Sequence, residues 1–223
     1  MSDPNPRHAL VFALAHEIGN QLAGIRLEAH LLDESLGPAG LARAALAIDG
    51  LAGQAAPLLA LLRPLLAPEA RRIGAASCAG VLEAVRRELE AEGTGGHPIV
   101  LDVAADADRD APAIEGLHAL LRALIGAPGD LRPPRQAIRL GLVRAGRGVA
   151  VVCDLPGDVL ADAVGSGEGA GGGGRAPLPA HALRGRPLAW AVARLLVEDA
   201  GGRIELAVGA GRSRVVLQLP GAA

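Results

Sequence analysis

Apolar residues recur at steps of three and four along the first third of the chain. Leu14, Ile18, Leu22, Ile25, Ala29 and Leu32 form one stripe, and Leu41, Ala45, Ile48, Ala52, Ala55, Leu59, Leu62 and Leu66 form another. This is the spacing of amphipathic helices. It predicts a helix from about Pro6 to Leu36, punctuated by Gly37-Pro38-Ala39-Gly40, and a second over Leu41–Leu66 that Pro57 and Pro64 should kink or shorten. Two helices with one apolar stripe each do not make a self-sufficient core. The hairpin is therefore expected to pair with a second copy in a four-helix bundle, making the protein a homodimer.

After Pro68 the pattern becomes an alternation of helices and strands. Ser77 caps a predicted helix to Glu92, with Val81, Leu82, Val85 and Leu89 on one face. Pro98–Val103 reads as a strand and Ala113–Ile125 as a helix. Ala137–Val143 and Gly148–Cys153 are strands joined by the turn Arg144-Ala145-Gly146-Arg147. Leu188–Ala200 reads as a helix closed by Gly201-Gly202, and Arg203–Val208 with Arg214–Leu219 as a hairpin through Gly209-Ala210-Gly211. The fold class is α+β: a helical hairpin over residues 1–71, then helices on one face of a mixed sheet over 72–223.

Half of the residues are hydrophobic, but alanine supplies much of that share, and there is no tyrosine, one phenylalanine and one tryptophan. The cores should be aliphatic. A net charge of −2 and the absence of basic runs with interleaved aromatics exclude a nucleic-acid footprint. The amino terminus lacks the pattern of a signal peptide, and the longest apolar run, Leu51 to Leu66, is broken by Gln54, Pro57, Arg63 and Pro64. A soluble, cytoplasmic protein with no membrane partner is the expectation. Cys78 and Cys153 stand far apart with no ligand spacing around them, and read as small buried hydrophobes.

The segment Ala15-His16-Glu17-Ile18-Gly19-Asn20-Gln21-Leu22 carries the chemistry. At about 100° per residue, His16 points away from Leu14 and Ile18, and Asn20 shares its exposed side one turn later. A neutral imidazole nitrogen can attack phosphorus and form a covalent intermediate, so His16 is a candidate nucleophile for phosphoryl transfer. A single surface histidine is more often just a solvated side chain, and the octapeptide alone does not separate the two readings.

The octapeptide and the order of elements resemble the catalytic core of bacterial sensor histidine kinases, over nearly the whole chain. His16-Glu17-Ile18-Gly19-Asn20 matches the family's H-E-x-x-N, with Gln21 in place of the proline that follows it. Arg194-Leu195-Leu196-Val197-Glu198-Asp199-Ala200-Gly201-Gly202-Arg203-Ile204-Glu205 looks like the family's R-x-I-V-E-x-H-G-G-x-I-E. The resemblance implies a dimeric phosphoacceptor hairpin followed by an α/β sandwich of the ATPase type. His16 would be phosphorylated, Glu17 would orient the imidazole or accept a proton, and Asn20 would position a reacting group. Ala23, Gly24 and Leu27 would belong to the docking surface for a response-regulator receiver domain.

Departures from the family gather where nucleotide should bind. The N-x-x-x-N-A element would fall on Ala123-Leu124-Ile125-Gly126-Ala127-Pro128, which removes the magnesium ligand. The D-x-G-x-G element corresponds at best to Asp154-Leu155-Pro156-Gly157-Asp158. The phosphate-cradling G-x-G-L-G-L becomes Gly185-Arg186-Pro187-Leu188-Ala189-Trp190, where Pro187 lacks an amide and Ala189 adds a side chain. Gly165–Gly174, in the place of the ATP lid, lacks the lysine of a phosphate loop and reads as a flexible connection.

Together these features predict a histidine phosphotransferase that relays a phosphoryl group between receiver domains, taking it from an upstream hybrid kinase, and binding neither ATP nor a metal of its own. Magnesium is expected on the partner receiver. Two other readings stand beside it: a divergent but active histidine kinase, and a dimeric adaptor that binds response regulators without chemistry.

Overall fold

The computed structural model describes residues 5–32, 37–66, 73–93, 95–161 and 183–220. The glycine tract 165–174 lies outside them. Helices α1 (Pro6–Leu32) and α2 (Pro38–Leu66) run antiparallel as the expected hairpin. Gly24 packs close to Leu51, and a Cβ there would stand 3.0 Å from Leu51 Cδ1. α2 begins with Pro38, whose fixed φ and missing N–H suit a first helical turn.

Pro57 and Pro64 lie inside α2 and do not shorten it, the helix running on to Leu66. Pro64 is buried against Gly116, so packing offsets the hydrogen bond that its ring removes. The core helix of a soluble protein can also pass a length-and-composition test for a membrane span, and α2 passes it. By length and composition alone it is long and apolar enough to cross a membrane, with mean hydropathy 1.6 over its most apolar window.

The α/β unit follows in the order β1 (Ile73–Ser77), α3 (Cys78–Glu92), β2 (Ile99–Val103), β3 (Pro112–Ile114), α4 (Leu117–Ile125), β4 (Ile138–Ala145), β5 (Gly148–Pro156), α5 (Gly185–Asp199), β6 (Arg203–Gly209) and β7 (Arg212–Leu219). Ser77 caps α3 as expected, its hydroxyl accepting the Gly80 N–H at 3.1 Å. Residues 113–125 are not one helix. Pro112–Ile114 pairs antiparallel with β1, and Gly116, at φ +84, redirects the chain into α4.

The main sheet has the order β2-β4-β5-β7-β6, parallel between β2 and β4 and antiparallel elsewhere. Inward residues alternate along β7, where Ser213, Val215, Leu217 and Leu219 are buried, and α3 and α5 cover that face. One apolar core runs through both units: Leu10, Leu14 and Ile18 of α1 and Leu58, Leu61 and Leu65 of α2 are continuous with Leu120, Leu124, Leu188 and Val192.

The apolar stripes of the hairpin are only partly used. On α1 the stripe is buried at Leu14 and Ile18 but open at Leu22, because α4 and α5 pack against the hairpin beside only part of its length. On α2 the buried residues Ala44, Ala55, Leu58, Leu61 and Leu65 define one face, while Leu41, Ala45, Ala52, Leu59 and Leu66 of the predicted stripe are exposed.

Candidate functional site

His16 sits in the middle of α1 with its side chain exposed, and Asn20 is exposed one turn further on. Phe12 and Leu27, 66% and 62% exposed, lie on the same side of the helix at the spacing that brackets them. Ala23 is exposed too, whereas Gly24 is turned toward Leu51 in the hairpin contact. The face around His16 thus combines an imidazole, an amide and two large apolar side chains.

Glu17 is placed differently. It is 8% exposed and turned toward the α/β unit. Its Oε1 accepts from Gln21 Nε2 at 3.5 Å, and its Oε2 lies 3.5 Å from Arg184 Nε. Gln21 thus takes part in the hydrogen bonding of Glu17 at the position where the family has a proline.

Two further contacts fix how the units meet. Arg7 pairs with Asp199 at the end of α5 and donates to the Leu65 carbonyl at 2.9 Å. At Gly116 a Cβ would stand 2.8 Å from Pro64 Cγ, so only glycine allows this approach.

Between the hairpin and the α/β unit lies a cleft of about 450 Å³. Its walls include Glu17, Gln21 and Gln54 from the hairpin, and Arg122, Ala127 and Arg186 from the opposite side. Ala127 and Gly185-Arg186, parts of two of the elements that depart from the family pattern, therefore face one space. Arg186 lines it. Its Nε lies 3.2 Å from the Leu124 carbonyl, and its Nη2 donates to the Ile125 carbonyl at 2.8 Å. These carbonyls belong to the last turn of α4, which lacks intrahelical partners and carries partial negative charge. Burial lowers the guanidinium pKa and nearby Asp130 opposes that shift. Gly126, at φ +64, leaves the room: a Cβ there would stand 2.9 Å from Arg186 Nη2.

Asp154, the first residue of the segment compared with D-x-G-x-G, accepts from Arg212 Nε at 2.7 Å across neighbouring strands, and Arg212 also donates to the Ala137 carbonyl at 2.9 Å. Its carboxylate is engaged in the sheet. Among the described residues, no group of three or more histidine, cysteine or acidic side chains could hold a metal ion.

No protein-family model and no curated protein matches the sequence. Solved structures do match. A bacterial phosphotransferase structure superposes with TM-score 0.56 at 16% identity, covering 98% of this chain and 98% of that one. The Acinetobacter baumannii histidine kinase AdeS gives TM-score 0.57 at 12% identity, over 93% of this chain and 98% of that one. The full-length structure of ShkA in complex with AMPPNP gives 0.56 at 13% identity, covering 99% of this chain and 47% of that chain. The fold is that of a histidine-kinase core. Within this histidine-kinase-like core, His16 lies on the hairpin and the cleft lined by Arg186 lies between the hairpin and the α/β unit.

The sequence pointed to His16 and Asn20 through the exposed face and to Glu17 through the motif. It did not single out Arg184 or Arg186. The available signal was an arginine within a segment that the family keeps rich in glycine.

Proposed function

We propose that the protein is a dimeric histidine phosphotransferase of two-component signalling, which relays a phosphoryl group between receiver-domain aspartates through His16 without using ATP. The observation that carries this reading is the pairing of an exposed His16 with a nucleotide-side cleft in which Arg186 lines the wall and bonds to the end of α4. A triphosphate and its magnesium need close backbone amides and an oxygen ligand. The corresponding positions here are Ala127, Arg186, Pro187 and Ala189, which do not fit that ligand.

In the relay, a lone pair of the neutral His16 imidazole attacks the phosphorus of an aspartyl phosphate in line. The N–P bond forms as the P–O bond to the aspartate breaks, and the carboxylate leaves as an anion. The second receiver reverses these changes. Asn20, on the same face, donates an amide hydrogen toward the transferring group, while Phe12 and Leu27 supply apolar area for docking. The partners we propose are receiver domains, an upstream hybrid kinase and a second copy of this chain, and the compartment is the cytoplasm. The exposed stripe Leu41, Leu59 and Leu66 on α2 supports the dimer, since exposed apolar area of this kind is commonly covered by a partner.

The test is transfer from a panel of phosphorylated receivers to the unmutated protein and to His16→Gln, with ATP removed. Label on the unmutated protein alone is the expected result. Label at His16 from ATP and magnesium, with none from receivers, would refute the relay in favour of a kinase. Receiver binding that survives His16→Ala, with no transfer by the unmutated protein, would favour the adaptor.

A further inference from the structure

The face of the main sheet turned away from α3 and α5 is more apolar than a solvated face requires. Val149, Val151, Cys153 and Leu155 of β5 are buried in the core, so Ala150 and Val152 point the other way. A sheet with one solvated face carries polar residues there, whereas Gly148-Val149-Ala150-Val151-Val152-Cys153 is apolar on both sides, the pattern of a strand covered twice. The register extends the patch. Val152 stands opposite Gly141 of β4 and Val216 of β7, Ala150 stands opposite Val143, and Val100 of β2 lies one row away. Val143 is 38% exposed, and Val100, Gly141, Val152 and Val216 are partly exposed.

The charged border of the patch indicates what covers it. Arg139 of β4 and Arg214 of β7 flank Asp154, each directly opposite it in register. Asp154 already accepts from Arg212 at 2.7 Å. Arg139 and Arg214 are exposed, and neither has an ion pair among the described residues. Of the other carboxylates on this side, Glu205 is paired with Arg203 at 3.3 Å and Asp102 lies at the β2 edge. Two uncompensated cations beside an open apolar strip call for an occupant that brings both carboxylates and apolar area.

We propose that this open sheet face docks an acidic amphipathic helix of a partner protein. The apolar side of that helix lies across Val143, Val152 and Val216 and adds a third layer to the sandwich, as helices on both faces of a sheet do. Its carboxylates meet Arg139 and Arg214. The patch is built of valine, alanine and glycine, which offer contact area to a helix but no aromatic or long side chain to sink into a lipid surface. The inference uses elements of the sheet alone and does not depend on the phosphoryl-transfer reading of His16.

The probe is a fluorescein-labelled helical peptide of about 18 residues, long enough to cross the sheet, with a leucine and alanine stripe bordered by glutamates. The control carries lysines in place of the glutamates. Fluorescence anisotropy is expected to show binding of the acidic peptide that weakens as salt rises. The exposed pair Arg139→Glu with Arg214→Glu, at unchanged circular dichroism, should weaken it about tenfold. Val143→Ser should weaken it without changing the salt slope, and the methyl NMR signals of Val143, Val152 and Val216 should shift on titration. Absence of binding by the acidic peptide at low salt, equal binding of the lysine peptide, or shifts confined to α1 and α2 overturns the proposal. Binding of phosphatidylserine vesicles in place of the peptide assigns the face to a membrane and overturns it too. So does a fall in sedimenting mass on Arg139→Glu with Arg214→Glu, which assigns the face to a second copy of the chain.

Discussion

Replacing Arg186 by alanine removes the only side chain shown bonded to the last carbonyls of α4 among the described residues. The guanidinium makes contacts of 2.8 to 3.3 Å with the carbonyls of Leu124 and Ile125. A hydrogen bond to a charged donor contributes about 1.5–3 kcal/mol, and orphaned buried carbonyls cost a similar amount. One cation serves both acceptors and was itself desolvated, so the contacts are not additive and the net loss is about 2–4 kcal/mol. For a domain of this size that corresponds to roughly 5–12 °C in Tm. Urea unfolding monitored by circular dichroism measures the loss, and Arg186→Met separates it from the loss of aliphatic packing. Gly126→Ala should weaken the same bridge, because the new Cβ would stand 2.9 Å from Arg186 Nη2. The double variant should then cost less than the sum of the single ones. A loss below about 0.5 kcal/mol for Arg186→Ala, with additive behaviour, would refute the bridge. A rise in Tm when ATP and magnesium are added to the unmutated protein would instead count against a function without ATP, since a bound nucleotide stabilises by mass action.

Three other outcomes are expected. Gly116→Ala combines a φ of +84 with a Cβ 2.8 Å from Pro64 Cγ, and should cost about 2–4 kcal/mol in chemical unfolding; a neutral substitution would mean that the hairpin and α4 can separate freely. Burial raises the Cys78 thiol from 9.0 to about 11, with Asp108 adding to the shift, and raises Cys153 to about 12. The unfolded thiols lose protons first, so stability should be undiminished below pH 9 and fall between pH 9 and 12. The double Cys→Ala variant should flatten that slope relative to the unmutated protein. Leu41→Asp with Leu59→Asp places charges on the exposed α2 stripe, and should shift sedimentation toward the monomer while the circular dichroism spectrum is retained.

Period and punctuation made most of the architecture legible. The hairpin, α3, the two sheet hairpins and the last helix could be read because apolar spacing, capping Ser77 and turn glycines agree with one another. β1 and β3 were missed: each is a short strand, and its pairing is with a distant segment rather than along the chain. The split of residues 113–125 turned on Gly116, whose positive φ a periodicity count does not detect. In the site, exposure of His16 and Asn20 followed from helical geometry alone. Glu17 did not, since its burial depends on where α5 begins. The bridge made by Arg186 depends on the ends of two helices about 60 residues apart, beyond any local pattern.

The continuous core has a consequence for how such a chain can diverge. Leu61 and Leu65 of the hairpin are as fully buried as Leu120 and Leu188 of the α/β unit, and Pro64 meets Gly116 with no space for a larger residue. The two units are therefore not interchangeable parts. A graft that brings in a foreign hairpin would also have to bring the helix surface that receives it, so the exposed face of α1 can change only within a packing frame that the other half of the chain sets.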